Sequence, residues 1–124
     1  MKDLYGQNIK VTPLKLGGVE ENIFASYYID GHLYFCSDKM IKSKQKYIDE
    51  GNNNNYLNIY KVKTQIGSNP SQKPIKISDS VNSKLNEGPL IFNSAKNKVY
   101  FSSNIFNNRE DSTLRLGLFS APYN

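Results

Sequence analysis

Side chains suited to acid–base or nucleophilic chemistry are few and scattered in this 124-residue sequence. The one histidine, His32, directly follows an Asp-Gly pair, and no second histidine exists to complete a metal site or a catalytic triad. No serine lies in a G-x-S-x-G elbow. Paired acids serve a glycosidase only at a defined separation across a cleft, and here solvation of polar loops is the simpler interpretation. These acids are Asp38, Asp49, Glu50, Glu110 and Asp111. We therefore expect no enzyme activity.

Metal and cofactor binding are also not indicated. The asparagine run at 52–55, with Asp49 and Glu50, offers oxygen ligands but lacks the alternating acidic spacing of a calcium loop. The single cysteine, Cys36, lies inside an apolar run, so no intrachain disulfide is possible. We expect a small buried hydrophobe there, since a reactive thiol needs an electropositive, accessible setting. We predict no cofactor.

Charge and hydropathy exclude two classes of partner. The net charge is +5, from 16 basic and 11 acidic residues, and lysines cluster at 39, 42, 44 and 46. No nucleic-acid-binding motif accompanies them, so we expect a solvated loop rather than a phosphate-binding patch, and no nucleic-acid partner. No stretch approaches the ~20 apolar residues that cross a bilayer. The N-terminus lacks the apolar core of a signal peptide, which is typical of a cytoplasmic protein or of a piece of a longer one.

The sequence repeats itself. I-K-V-T at 9–12 returns as I-K-I-S at 75–78, Glu21 as Glu87, and L-Y-F-C-S-D at 33–38 as V-Y-F-S-S-N at 99–104, each 66 residues later. A further pair, L-N-I-Y at 57–60 and L-G-L-F at 116–119, is separated by 59 residues. The difference is absorbed by a longer loop in the first copy. Similarity at a fixed period indicates stacked supersecondary units.

The elements that carry these residues are predicted to be strands. Nine tyrosines and six phenylalanines occur in short runs with β-branched neighbours. Asp30 and Gly31 supply the turn of a tight hairpin. The long polar stretches at 38–56 and 104–113 read as loops. Strands are predicted at 9–12, 23–28, 32–37, 57–63, 74–78, 89–93, 98–103 and 114–121.

Four short antiparallel strands per unit predict an all-β fold of two blade-like repeats, an incomplete β-propeller. We divide the chain into an N-terminal outer strand and connector (1–19), a first repeat (20–79) and a second repeat that lacks its outer strand (80–124). Because a closed propeller needs at least four blades, we expect a fragment, a truncated frame or part of an assembly. A free-standing sandwich of two four-stranded sheets stays open as an alternative.

Six residues are candidates for a structural role, because they recur in the repeat or lie beside residues that do. Neighbouring strand residues point to opposite faces, so both rings of each Tyr-Phe pair are expected in the core, with like surroundings in the two repeats. Burial of each ring would contribute roughly 2–3 kcal/mol. A carboxylate at the entry to each innermost strand is expected to accept hydrogen bonds from the neighbouring blade, and a ligand contact is the alternative. These residues are Glu21, Glu87, Tyr34, Phe35, Tyr100 and Phe101.

Taken together, several of these motifs resemble a known repeat. N-S-K-L-N-E-G-P at 82–89, Phe92 and V-Y-F-S-S-N at 99–104 resemble the WD40-like repeat (PD40) of the Tol-associated propeller type. The resemblance is strongest to bacterial OmpA-like, peptidoglycan-associated outer-membrane proteins. The first copy matches at D-G (30–31), at 33–38 and at 57–60. Two departures are A-K-N at 95–97 in place of D-G, and E-N-I at 21–23 in place of E-G-P.

The resemblance implies a propeller segment in the cell envelope, in the periplasm or associated with the outer membrane. Rigid blades would hold the loops at 38–56 and 104–113 for a protein partner or a cell-wall component. Our hypothesis is a non-enzymatic protein-interaction scaffold, which rests on family analogy. The rival hypothesis is an accessory domain that gates access to a serine peptidase or another hydrolase.

Overall fold

A computed structural model describes residues 11–17, 22–38, 48–49, 54–83, 85–106 and 114–123. Aromatic and β-branched residues form strands throughout these ranges, as their alternation predicts. Two antiparallel sheets carry the fold, and a short two-stranded pair stands beside them. The strands are β1 (Ile23–Ile29), β2 (His32–Ser37), β3 (Ile48–Asp49), β4 (Asn54–Asn55), β5 (Asn58–Lys63), β6 (Ile75–Lys76), β7 (Glu87–Asn93), β8 (Lys98–Phe106) and β9 (Leu114–Pro122), with a 3₁₀ turn at Ser94–Lys96.

Sheet 1 has the strand order β1-β2-β5-β6, and sheet 2 has the order β7-β8-β9. Strands β3 and β4 pair only with each other. The prediction of an all-β fold is confirmed, with antiparallel sheets of four and three strands. Within the described ranges the sheets close into neither a barrel nor a propeller.

Five predicted elements differ from the structure by two residues or more. Strand β6 is shorter than predicted (75–76 against 74–78), and β7 begins two residues earlier (87 against 89). The other three are a strand, a loop and the end of β8. Val11 and Thr12 are not in a strand: Val11 is exposed, and Pro13, which follows Thr12, has no amide to donate to a ladder. The other half of that predicted strand, 9–10, lies outside the described residues. The loop predicted at 38–56 contains the β3–β4 pair, because asparagine backbones can still pair between strands. Strand β8 runs on to Phe106, since apolar Ile105 and Phe106 continue its pairing with β9.

The two sheets share one pairing register. In sheet 1, Phe35 pairs with Tyr60 and Cys36 with Ile59. In sheet 2, the residues 66 and 59 positions later pair in the same way: Phe101 with Phe119, and Ser102 with Leu118. The repeat seen in the sequence is therefore a structural repeat in these two strands.

The first strand of each sheet follows a different offset. Ser37 pairs with Ile23 in sheet 1, and Ser103 pairs with Glu87 in sheet 2. The counterpart of Glu87 is therefore Ile23, and the predicted equivalence of Glu21 and Glu87 is wrong. The reason is the hairpin turn, which spans 30–31 in sheet 1 but 94–97 in sheet 2, so two extra residues enter before β8. Glu21 itself lies outside the described residues.

The sheets pack face to face around one apolar core. Its buried members are Tyr34, Cys36 and Ile59 of sheet 1, with Val81 of the connector and Leu90, Val99 and Phe101 of sheet 2. The two sheets approach each other closely at Gly88, whose φ is +111° and where a Cβ atom would lie 2.1 Å from Cys36 Sγ. Only a residue without a side chain fits there.

The remaining faces of the two sheets differ. On the far side of sheet 1, Phe35, Tyr60 and Val62 form a second buried cluster, which Leu16 of the N-terminal segment covers. On the far side of sheet 2, large apolar side chains such as Leu116 and Leu118 are exposed. Within the described part of the chain, sheet 1 is thus covered on both faces and sheet 2 on one.

Candidate functional site at the loop end

Both long connections leave the sheets at the same end, which we call the loop end. The chain leaves sheet 1 after Ser37 and sheet 2 after Phe106, at the ends of the register-equivalent strands β2 and β8. The points where these connections meet the sheets, which we call the loop roots, are linked by Asn86. Its Oδ1 accepts a hydrogen bond from Leu57 N (2.7 Å), and its carbonyl oxygen accepts one from Asn104 N (3.1 Å). A rigid frame therefore holds the loop roots of both sheets together.

A cleft of about 410 Å³ lies at the loop end. On one side, Asn22 Nδ2 donates a hydrogen bond to Asp38 Oδ2 at 3.0 Å. On another side the ring of Phe24 is 43% exposed. An apolar ring beside amide and carboxylate groups suits an extended peptide, which offers both backbone polar groups and side chains. The lining residues are Asn22, Ile23, Phe24, Asp38, Asn55, Leu57 and Asn86.

Asn82 fixes the connector that leads to this end. Strand β6 pairs with Tyr60 and Lys61, and Ile77 N donates a hydrogen bond to Ile59 O at 3.1 Å, so the group on this edge of β5 that still needs a partner is Ile59 N. Asn82 Oδ1 accepts a hydrogen bond from Ile59 N at 2.7 Å, and Asn82 Nδ2 donates one to Ile59 O at 3.0 Å. The buried amide thus replaces a strand partner, and the chain then reaches Asn86.

Sequence reasoning missed both asparagines. They stand in the N-S-K-L-N-E-G-P motif, spaced four residues apart, but asparagine is common in any polar connector. The signal available was that spacing next to a predicted edge strand. The hydrogen bonds that hold their side chains to sheet 1 reach Ile59 and Leu57, which lie 23 and 29 residues away along the chain, so the local sequence does not identify this role.

Glu87 begins β7 and is only 1% exposed. Its Oε1 accepts a hydrogen bond from Ser83 Oγ of the connector, and Oε2 has no hydrogen-bond partner. Desolvation by burial raises the pKa of Glu87 above its ordinary value of 4.5, although the hydroxyls of Ser83 and Ser103 and the charge of Lys76 act in the opposite direction. Contact with sheet 1 is made by the backbone, where Glu87 N donates to Leu57 O at 2.9 Å.

The four aromatic candidates do not share one environment. Tyr34, Phe35 and Phe101 are buried, whereas Tyr100 is half-buried. The expectation that Tyr34 and Tyr100 have like surroundings is therefore wrong. Sheet 2 covers Tyr34, whose ring centroid lies 4.6 Å from that of Phe92, but Tyr100 points to the uncovered face of sheet 2. Burial and a hydrogen bond with the Tyr123 hydroxyl raise the pKa of Tyr34 above its usual range.

The remaining polar candidates form no reactive constellation in the described part of the chain. His32 Nδ1 lies 2.9 Å from its near neighbour Asp30 O. Cys36 is fully buried, and burial raises the pKa of its thiol to about 11, so the thiol stays protonated at neutral pH. No three His, Cys, Asp or Glu side chains of the described ranges come together to hold a metal ion. Glu50, Glu110, Asp111 and the lysines at 39–46 lie outside those ranges.

Comparisons with known proteins identify no relative of this chain. No protein-family model matches the chain, and neither the curated proteins nor the solved structures yield a match. Among the residues that the structure describes, no helix has the length and apolarity to cross a membrane.

Proposed function

We propose that this chain is a non-enzymatic protein-interaction scaffold, built as two blade-like sheets of an incomplete propeller. The observation that carries the proposal is Asn86, which bonds to both sheets at the loop roots. A shared anchor keeps the two roots at a constant distance, so one partner can contact both connections at once. Rigid frames that position loops are the usual arrangement for binding surfaces.

The partner that the loop end suits best is a protein segment. The cleft combines the exposed ring of Phe24 with the amide and carboxylate of Asn22 and Asp38. An aromatic anchor surrounded by polar groups is typical of protein interfaces. A location in the bacterial cell envelope stays a prediction, supported by the motif resemblance alone. Gating of a peptidase stays a prediction as well, and no observation on the described residues favours it.

Site-specific photo-cross-linking tests the proposal. A benzoylphenylalanine at Phe24 reports on the loop end, and one at Lys96 reports on the opposite end, in the exposed β7–β8 turn. The expected result is one protein cross-linked through position 24 in extracts of the source cells, and none through position 96. Equal cross-linking from both positions would contradict the proposal.

The protein identified in this way is then purified and its binding is measured. Phe24→Ser is expected to weaken binding roughly tenfold, since removal of a central aromatic anchor costs on the order of 1–2 kcal/mol. Lys96→Ser is the matched control and leaves the affinity unchanged. Co-sedimentation with purified peptidoglycan sacculi that depends on Phe24, without any protein cross-link, would replace the protein partner with a cell-wall component.

A further inference from the structure

A cavity of about 410 Å³ lies at the end of sheet 1 that is opposite the loop end, and we call it the turn-end cavity. One wall is the turn of the first hairpin, and the other is the connection from β5 to β6. Its volume falls within the range of ~300–1,000 Å³ that is typical of small-molecule sites. The lining includes Tyr28, Lys63, Gln65, Ser68, Asn69 and Ser71.

Hydrogen bonds hold the two walls of this cavity together. Thr64 N donates to Gly31 O at 3.0 Å, and Thr64 Oγ1 donates to Ser68 O at 2.9 Å. Asn69 Oδ1 accepts a hydrogen bond from Lys15 N at 2.9 Å, which ties the connection to the N-terminal segment as well. The cavity is therefore preformed, and a ligand does not have to order the connection in order to bind.

Tyr28 supplies an aromatic surface to the turn-end cavity. Its side chain is 40% exposed, and its hydroxyl group donates a hydrogen bond to Thr64 O at 3.3 Å. Because the hydroxyl end of the side chain is held in this way, the ring has a fixed orientation. No atom lies within 4 Å of the Cβ position at Gly31, so the facing turn leaves open space. A flat group of low polarity can therefore stack on the ring.

The polar groups of the lining define the rest of the ligand. Gln65 and Asn69 carry amides, and Ser68 and Ser71 carry hydroxyls, so both donors and acceptors of hydrogen bonds are present. Among the described residues, the lining contains one charged group, the ammonium of Lys63, and no carboxylate. A phosphate or a nucleotide carries more negative charge than one lysine neutralises. The lining thus suits a ligand with several hydroxyl groups and a single negative charge.

A hexuronate, which is a pyranose sugar with a carboxylate in place of its hydroxymethyl group, combines these properties. The C–H groups on one face of a pyranose ring form an apolar patch that can stack on the ring of Tyr28. Its hydroxyls both donate and accept hydrogen bonds, as the amides and hydroxyls of the lining require. Its one carboxylate matches the one ammonium, that of Lys63.

We propose that the turn-end cavity binds a hexuronate, either as the free sugar or as one unit of an acidic polysaccharide. This site goes beyond the scaffold function, because it lies at the other end of sheet 1 and shares no lining residue with the cleft at the loop end.

NMR titration of the isotope-labelled 124-residue chain with D-galacturonate tests the proposal. The expected result is a saturable shift of the backbone amides of Thr64, Gln65 and Ser68, with no change at Asn22 and Asn86 of the loop end. Galactose, which lacks the carboxylate, is expected to bind about threefold more weakly, since one exposed ion pair is lost. No saturable shift at millimolar galacturonate, or shifts at the loop end instead, would overturn the proposal.

Two variants with matched controls assign the contacts to the sugar. Lys63→Gln is expected to weaken galacturonate binding about threefold and to leave galactose binding unchanged, because only the acid pairs with the ammonium. Tyr28→Ala is expected to weaken the binding of both sugars about tenfold, since both lose the stacking surface. Lys96→Gln and Tyr100→Ala remove a lysine and a tyrosine elsewhere and should leave both affinities unchanged. An equal loss for the two sugars in Lys63→Gln would contradict an acidic ligand.

Where Tyr28→Ala fails to fold, Gln65→Ala decides instead, because Gln65 is exposed and its side chain can be shortened without loss of buried contacts. It is expected to weaken galacturonate binding about threefold through the loss of one hydrogen bond. Unchanged affinity in both Gln65→Ala and Lys63→Gln would overturn the site. The trimer of galacturonate separates the two sources of the ligand: tighter binding than the monomer supports a polysaccharide, and equal binding supports the free sugar.

Discussion

Sheets 1 and 2 carry equivalent residues in the same register, yet they differ in what lies against them. Tyr34 is 4% exposed under sheet 2, whereas its counterpart Tyr100 is half-buried on the far side of sheet 2. Leu16 covers the far side of sheet 1, and no described segment covers that of sheet 2. The difference shows that repetition encodes strand pairing, whereas burial depends on which neighbour each sheet has.

The largest expected effect is at the close approach of the two sheets. Gly88→Ala should cost about 4 kcal/mol in urea unfolding, because the new Cβ combines backbone strain at φ +111° with overlap on Cys36 Sγ. Gly67→Ala is the matched control: φ is +81° but no atom lies within 4 Å, so strain alone should cost about 1 kcal/mol. Cys36→Ala should recover part of the Gly88→Ala loss. Equal losses at the two glycines would mean that the sheets are not in close contact.

The paired tyrosines test the comparison directly. Tyr34→Ala should cost about 3–4 kcal/mol, because it empties a buried site between the sheets. Tyr100→Ala should cost about 1 kcal/mol, since its ring is half-buried. Chemical denaturation of both variants measures the difference. Similar losses would indicate that the far side of sheet 2 is covered in solution.

Asn82 tests whether the connector is needed to hold sheet 2 on sheet 1. Asn82→Ala should cost about 2 kcal/mol, because the buried Ile59 N–H loses its partner, while Ile59 O keeps its hydrogen bond from Ile77 N. Asn93→Ala is the control at the exposed turn, where Oδ1 accepts from Lys96 N at 3.2 Å, and it should cost about 0.5–1 kcal/mol. A loss below that of Asn93→Ala would show that water replaces the amide.

The smallest expected effect on the free energy of unfolding, and the one that depends most on pH, is at Glu87. Its folded-state pKa is raised by burial, so the folded chain binds more protons than the unfolded chain between the ordinary value of 4.5 and the folded pKa. The stability contribution is therefore fully present below pH 4.5 and is lost as the pH rises through the folded pKa.

Replacing the Glu87 carboxylate with an amide is expected to remove this loss of stability at higher pH. Glu87→Gln should match the parent protein at low pH and gain stability relative to it as the pH rises, measured by urea unfolding at several pH values. A Glu87→Gln deficit that grows with pH would show that the carboxylate has a favourable charged partner.

Much of the fold was predictable because it depends on residues that are close together in the sequence. Alternating apolar residues located β1, β2, β5, β7, β8 and β9, and the Asp-Gly pair located the first hairpin. The 66- and 59-residue offsets predicted the common register of the paired strands. The equivalence of Glu21 and Glu87 failed because a longer turn before β8 shifts the alignment by two residues, and a sequence offset does not show where a turn takes up length.

The candidate site was less predictable. The side chains of Asn82 and Asn86 bind backbone groups of Ile59 and Leu57, more than twenty residues away, and the cleft beside Phe24 forms only when four segments meet. The β3–β4 pair formed within a stretch whose composition indicates a loop. Each depends on contacts that side-chain alternation does not encode.

By itself, the sequence determined the strand class, the hairpin and the repeated register, since side-chain alternation and turn residues act over a few positions. The tertiary structure alone decided that Leu16 covers one sheet, that Gly88 must lack a side chain, and that Tyr34 is buried while Tyr100 is not. Burial is a property of two surfaces in contact. Two identical stretches of strand therefore acquire different energies once only one of them has a neighbour.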